Sequence, residues 1–362
     1  LSNGGEVPDC PTTQQSRGQL CHWSKLVALK EDHLAAVDVA DMNLVCANGL
    51  PGAKHLDAVL CLKKIIVLTG LVDRETQRLM IEFLVRPEKY RYSEAYFRAV
   101  VLITVLQCHC GIRYNQAKIA PDAPFCEEDS FIFGIFQGKG GTCATLPVLY
   151  ASVGRSLGYP IRLVSTWEHL FCRWDDPTTK ERFNMEATGP GLSTPADTDY
   201  RHGVYERTAP LIEKAGLLQS LSPRRELAGF LKERGLHWRR HGYLRNAANY
   251  FAWAAELDGF PMMFELVAYH LDQWSQDLKK RYPPPWPELR IDFESLRTFR
   301  SLPQQLEWRI TYLNLLDELL CGIKQGRLPG QETRDNGPVV IPATARVRVS
   351  EPLTFLDTYD KW

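Results

Sequence analysis

The sequence predicts an α+β fold in which a helix packs on short antiparallel strands and further helices flank that core. Three observations predict it. Apolar residues recur at helical spacing from about residue 30 to 107 and again from about 205 to 325. Between these regions lie three short strand-like segments, 161–165, 168–174 and 182–187, with the turn signal Asp175-Asp176-Pro177 before the third. A helical pattern over 143–157, stopped by Gly158 and Pro160, runs directly into the first of them.

The chain has 362 residues, room for two domains at roughly 100–200 residues each. Its 44% hydrophobic and 24% charged residues are globular composition. We divide it into a loosely ordered arm (1–30), a domain holding the strands and the helices before them (31–205), a helical domain (206–325) and an extended tail (326–362). Lys plus Arg and Asp plus Glu both number 43, a net charge of zero, so there is no basic footprint for nucleic acid. No apolar run reaches the roughly 18 residues a membrane span needs. The first residues, beginning at Leu1 rather than Met, show no basic region followed by an apolar stretch, so they do not read as a secretory signal. Ten cysteines are scattered, several (Cys46, Cys61, Cys321) inside apolar helical patterns. That usage suits thiols in a reducing cytoplasm better than a disulfide framework. Cys108-His109-Cys110 has poor zinc spacing; we expect no metal and no cofactor.

In order, Leu34, Val37, Val39, Met42, Leu44 and Val45 predict a helix over 30–48, ended by Gly49-Leu50-Pro51-Gly52. Further helices are expected over 55–70, broken by Gly70, over 73–85 with Asp73 as N-cap, and over 94–107 with Ser93 as N-cap. Residues 111–115 read as a short extended segment, 116–130 as a loop and 131–136 as an apolar run. After 205 the helical pattern is interrupted only by Pro283-Pro284-Pro285-Trp286-Pro287, a stiff extended connector. Residues 338–342 read as an edge segment. Gly235, Trp238, Gly242, Ala247, Phe251 and Ala254 resemble one tetratricopeptide unit, in which small residues let two helices approach; an ordinary helical hairpin fits equally well.

The chemistry gathers around Cys143. It follows the glycine-rich turn Gln137-Gly138-Lys139-Gly140-Gly141-Thr142 and opens the predicted helix, with Thr142 as N-cap. A helix N-terminus favours a thiolate, the nucleophilic form of cysteine. The Cys143 backbone N–H and the Gln137 side chain are the expected oxyanion donors. His169, on a strand that alternates His169, Phe171 and Arg173 on one face, is the expected base. Glu186, on the next antiparallel strand, is the expected third residue that holds the imidazole, and Asn184 on the same face is the alternative. Trp167 and Trp174 are candidate walls for a substrate.

The run GGTCATLPVLYASVGRSLGYPIRLV, followed by HLFCRWDD and ERFNMEATG, resembles the core of the transglutaminase-like superfamily, a papain-like cysteine fold. More narrowly it is similar to the bacterial SirB-type branch, whose core is followed by helical, tetratricopeptide-like segments. The likeness is most specific over 131–190 and extends loosely over 40–325. The Gln-x5-Cys turn also resembles papain's, but papain-like proteases place their histidine on the order of a hundred residues or more downstream. The family usually carries Asp or Asn third, where this sequence has Glu186. The resemblance implies a papain/transglutaminase-like core and acyl chemistry at a Cys143–His169–Glu186 triad: hydrolysis of an amide or ester, or transfer to an amine, with a protein or peptide as substrate. The alternative is a non-catalytic scaffold whose helical C-terminal region holds a protein.

Overall fold

The computed structural model describes residues 22–120, 123–166, 169–201, 212–282, 290–291, 302–325 and 340–341. These residues form helices and a small three-stranded antiparallel sheet, an α+β arrangement. They divide into two compact units, Leu1–Ile212 with Leu217–Glu226, and Glu213–Gly216 with Leu227–Trp362.

The first unit opens with α1 (Trp23–Val27), α2 (Glu31–Ala35) and α3 (Val39–Ala47). Two expectations change here. Trp23 and Leu26 are buried, so the end of the expected arm is packed. The single helix expected over 30–48 is two, because Asp38 accepts a hydrogen bond from Ala40 N–H at 2.7 Å and starts a new one. The next helix, α4 (Ala58–Val85), runs unbroken through Gly70. Its buried residues Cys61, Ile65, Leu68, Val72 and Thr76 keep helical spacing across the glycine, and that packing outweighs the roughly 1 kcal/mol a glycine costs in a helix. Ser93 caps α5 (Glu94–Thr104) as expected, accepting from Tyr96 N–H at 2.9 Å. The chain then widens into a π-turn, Val105–His109.

After the short helices α6 (Glu127–Ser130) and α7 (Phe133–Phe136) comes α8 (Leu146–Ser156). All residues from Leu146 to Gly154 are buried, which makes α8 the central helix of the unit. It begins three residues later than expected. Residues 143–145 form a turn whose closing hydrogen bond, Leu146 N–H to the Thr142 carbonyl at 3.0 Å, leads into the helix.

Strands β1 (Ile161–Thr166), β2 (His169–Asp175) and β3 (Arg182–Met185) pair antiparallel in chain order. Thr166 lies opposite His169, and Arg173 opposite Asn184. The Cys172 thiol donates to the Pro147 carbonyl at 3.2 Å, which seats the start of α8 against β2. Trp174 does not wall a site: it is buried, five residues from His169 on the opposite face of β2, against Tyr159 and Phe183. Trp167 lies outside the described residues.

The second unit is built on α9 (Ile212–Ala215, whose first residue counts with the first unit), α10 (Pro223–Arg240, whose first four residues do likewise), α11 (Leu244–Asp258), α12 (Pro261–Arg281) and α13 (Leu302–Lys324). A two-residue strand β4 (Arg290–Ile291) pairs in parallel with β5 (Val340–Ile341), which gives part of the expected edge segment a partner. The proline connector and the rest of the tail lie outside the described residues. A Cβ on Gly235 would come within 2.9 Å of the Phe251 ring, so this glycine lets α10 and α11 approach.

The His270 ring stacks on Phe251 at 3.9 Å. It is 2% exposed, and neither ring nitrogen has a hydrogen-bond partner. Burial, helped by the nearby Arg239 cation, lowers its pKa to about 4. In the unfolded chain the value is about 6.5. The unfolded state therefore takes up the proton first as pH falls, and stability declines between pH 6.5 and 4. The second unit should lose about 2 kcal/mol between pH 7 and 5 through this group. His270→Phe should remove that loss, read as the difference between urea midpoints at the two pH values. Equal pH slopes in both proteins would contradict it.

Candidate active site

Thr142 anchors the turn that carries Cys143. Its hydroxyl donates to the Asp129 carbonyl at 2.6 Å and accepts from Ala144 N–H at 3.1 Å, while its own N–H meets the Thr145 hydroxyl at 2.8 Å. Thr142 thus caps the turn that carries Cys143 and not the helix as expected, since α8 starts at Leu146 with Thr145 at its N-cap. Gly140, at a φ of +80°, turns the chain close to the 113–115 segment. There Asn115 N–H donates to the Gly141 carbonyl at 2.7 Å and Gly141 N–H to the Arg113 carbonyl at 2.9 Å. This parallel bridge brings Tyr114 to the cysteine.

The half-buried Tyr114 hydroxyl meets both the backbone amide and the side chain of Cys143. Burial, then the neighbouring cysteine, pushes its pKa up to about 12, so it is a neutral phenol at physiological pH. Gln137 is placed elsewhere. It is exposed at the end of α7, where the helix closes and turns its carboxamide to the His55 carbonyl, 3.4 Å away. Tyr114 thus takes the place by the Cys143 amide expected of Gln137.

Cys143 and Glu186 both hydrogen-bond the His169 ring. His169 Nε2 lies 2.6 Å from Glu186 Oε2, which leaves Nδ1 for the thiol. Burial of the ring opposes its protonation; Cys143 and Glu186 outweigh that and raise its pKa to about 9. Burial works against the Glu186 carboxylate too, but His169 and Thr188 together hold it below its ordinary value. Glu186 Oε1 accepts from Thr188 N–H at 3.0 Å and from its hydroxyl at 2.6 Å; Oε2 also accepts from the Tyr200 hydroxyl at 3.1 Å. Tyr200 in turn stacks face to face on Phe171, ring centroids 4.4 Å apart.

Asn184 does not share this role. Its Oδ1 accepts from Arg173 Nε at 2.7 Å, and its Nδ2 donates to Pro195 O at 2.9 Å and Asp197 Oδ1 at 2.7 Å. Cys143, His169 and Glu186 are therefore together, Asn184 and Trp174 serve the surrounding structure, and the exposed Gln137 carboxamide bonds the His55 carbonyl. Tyr114, Thr188 and Tyr200 join the site without having been expected. Among the described residues no group of His, Cys, Asp or Glu side chains is arranged to hold a metal ion, no disulfide links the cysteines, and no helix is long and apolar enough to cross a membrane. Comparison with protein-family models, with curated proteins and with solved structures finds no match for this chain.

Proposed function

We propose that this protein is a cysteine-dependent acyl-transfer enzyme on a papain/transglutaminase-like core, with the helical second unit as a tetratricopeptide-like appendage. The observation that carries the reading is a single imidazole held between Cys143 and Glu186, with 2.6 Å to the carboxylate. His169 takes the Cys143 proton, forming a thiolate–imidazolium pair. The sulfur attacks a carbonyl carbon. The oxygen that becomes negative takes up the Cys143 N–H, and the Tyr114 hydroxyl turns to donate to it. As the C–N or C–O bond breaks, His169 returns the proton to the leaving group, and a thioester on Cys143 remains. Water, deprotonated by His169, releases an acid; an amine in its place gives transfer. A protein or peptide acyl donor and a reducing, cytoplasmic setting accord with the accessible thiol.

Iodoacetamide labelling followed by peptide mapping tests this. Cys143 should react at neutral pH well ahead of the exposed Cys108 and Cys126. Cys143→Ala should abolish turnover in a screen of amide, ester and amine-donor substrates. Labelling of Cys143 no faster than that of a denatured-state thiol, with no turnover from the wild type, would leave the non-catalytic protein-binding scaffold as the correct reading. Within the acyl-transfer reading, Tyr114→Phe should lower kcat by about 10²-fold with little change in KM, the usual cost of one oxyanion donor. Gln137→Ala should leave kcat within about threefold, since it removes no such donor. The opposite ranking of the two variants would return the oxyanion role to Gln137.

A further inference from the structure

Glu186 lies just past the end of β3, so the strand ladder does not hold it. Its backbone is tied by two hydrogen bonds with Ser193, both 2.9 Å, and its side chain by Thr188. What holds Thr188 comes from a distant part of the chain. In the π-turn Val105–His109, closed by Cys110 N–H to the Val105 carbonyl at 3.0 Å, Gln107 points inward and is 8% exposed. Its Nε2 donates to Ala187 O at 2.9 Å and Gly189 O at 3.0 Å, the carbonyls on either side of Thr188. Its Oε1 accepts from Gly191 N–H at 2.7 Å. The reversed amide would set a donor against Gly191 N–H and an acceptor against two carbonyls, so these partners select one orientation. Tyr150, on the helix that follows Cys143, donates to the same Ala187 carbonyl at 3.2 Å and lies 3.4 Å from Gln107 Nε2.

We propose that Gln107 is a positioning residue of the Cys143 site: its carboxamide fixes the 187–191 loop, which presents Thr188 to Glu186 and so aims the carboxylate at His169. The π-turn is the device that brings it there; such turns recur at functional sites. The inference rests on the acyl-transfer reading, because only there does the aim of Glu186 matter to chemistry.

The test follows the His169 ring by NMR across pH in the full chain, together with the pH dependence of Cys143 carboxymethylation by iodoacetate. Gln107→Met keeps the length of the side chain and removes its hydrogen bonds. It should lower the His169 midpoint by about one pH unit or more, toward the ordinary histidine value. The upper limb of the labelling profile should move with it. In a Glu186→Gln background the same substitution should shift neither, since the carboxylate it aims is gone. A purely structural glutamine would change the melting temperature and leave both midpoints in place. Gln107→Asn, whose carboxamide stops one methylene short of Ala187 O and Gly189 O, carries the same test if Gln107→Met does not fold. A folded variant of either kind with wild-type midpoints overturns the proposal. A wild-type His169 midpoint near 6.5 would instead remove the ion-pair reading itself, whatever Gln107 does.

Discussion

Glu186→Gln should lower kcat/KM by about 10³–10⁴-fold, the scale seen when the acid behind a catalytic histidine becomes an amide. Two effects add. The carboxylate accepts a hydrogen bond from His169 Nε2–H over 2.6 Å and so holds the ring with Nδ1 toward the thiol; an amide offers the ring a donor as readily as an acceptor. The carboxylate also supplies part of the charge that holds the imidazolium. With a folded pKa of about 9 against about 6.5 unfolded, His169 contributes stability that is complete below 6.5 and is lost as pH rises through 9. Glu186, held below its ordinary value, contributes stability that is present above the ordinary carboxylate range and is lost in acid. The pair therefore stabilises the fold most between the two. Activity that needs the imidazolium should fall on the alkaline side near pH 9. In Glu186→Gln that limb should move down toward 6.5, and the stability lost between pH 6.5 and 9 should shrink with it. An unchanged alkaline limb would mean that the carboxylate does not hold the charge of the ring.

What was legible in the chain follows distance along it. His169 and Glu186 were readable because one sits on β2 and the other directly after β3, its antiparallel neighbour across the short turn at Asp175-Asp176-Pro177; alternation put each side chain on its face, and a short hairpin leaves little freedom of register. The same alternation puts Trp174 on the face opposite His169, where it packs in the core and cannot wall the site. Tyr114 was not readable. It reaches Cys143 through a parallel bridge to Gly141, and no periodicity ties an extended segment to a turn 27 residues later. Gln107 is a harder case, since its partners Ala187, Gly189 and Gly191 lie some 80 residues on and a π-turn leaves no spacing signal. Gly70 misled because helix propensity is local, whereas the buried stripe of α4 is set by what packs on it. Asn184 was a sound alternative by face; the network of Arg173 claimed it.

That network leads to the largest expected loss of stability. Arg173 is 1% exposed on β2. Its guanidinium donates to Asn184 Oδ1 at 2.7 Å, to the Leu218 carbonyl at 3.1 Å and to Asp197 Oδ1 at 2.5 Å. One side chain thus joins β2, β3, the 195–197 segment and Leu218. The Asp197 side chain is 41% exposed, so water screens that ion pair and takes up the carboxylate when the pair is broken. Asp197→Asn should cost about 1 kcal/mol or less. The neutral acceptors on Asn184 and Leu218 have no such recourse. Arg173→Met should therefore cost about 3 kcal/mol, chiefly as unmet buried hydrogen bonds, and lower the melting temperature of the first unit by roughly 6–12 °C at its size. Arg173→Lys should recover little, because a single ammonium cannot meet three partners spread around a planar fork. The site should feel the loss as well. Asp197 lies three residues before Tyr200, which stacks on Phe171 and donates to Glu186, so loosening this segment should pull a hydrogen bond from the carboxylate. A melting curve within about 2 °C of wild type for Arg173→Met, less than 1 kcal/mol at this size, would show that the guanidinium's bonds are replaced by water at no cost, and that β2 and β3 hold the site without it.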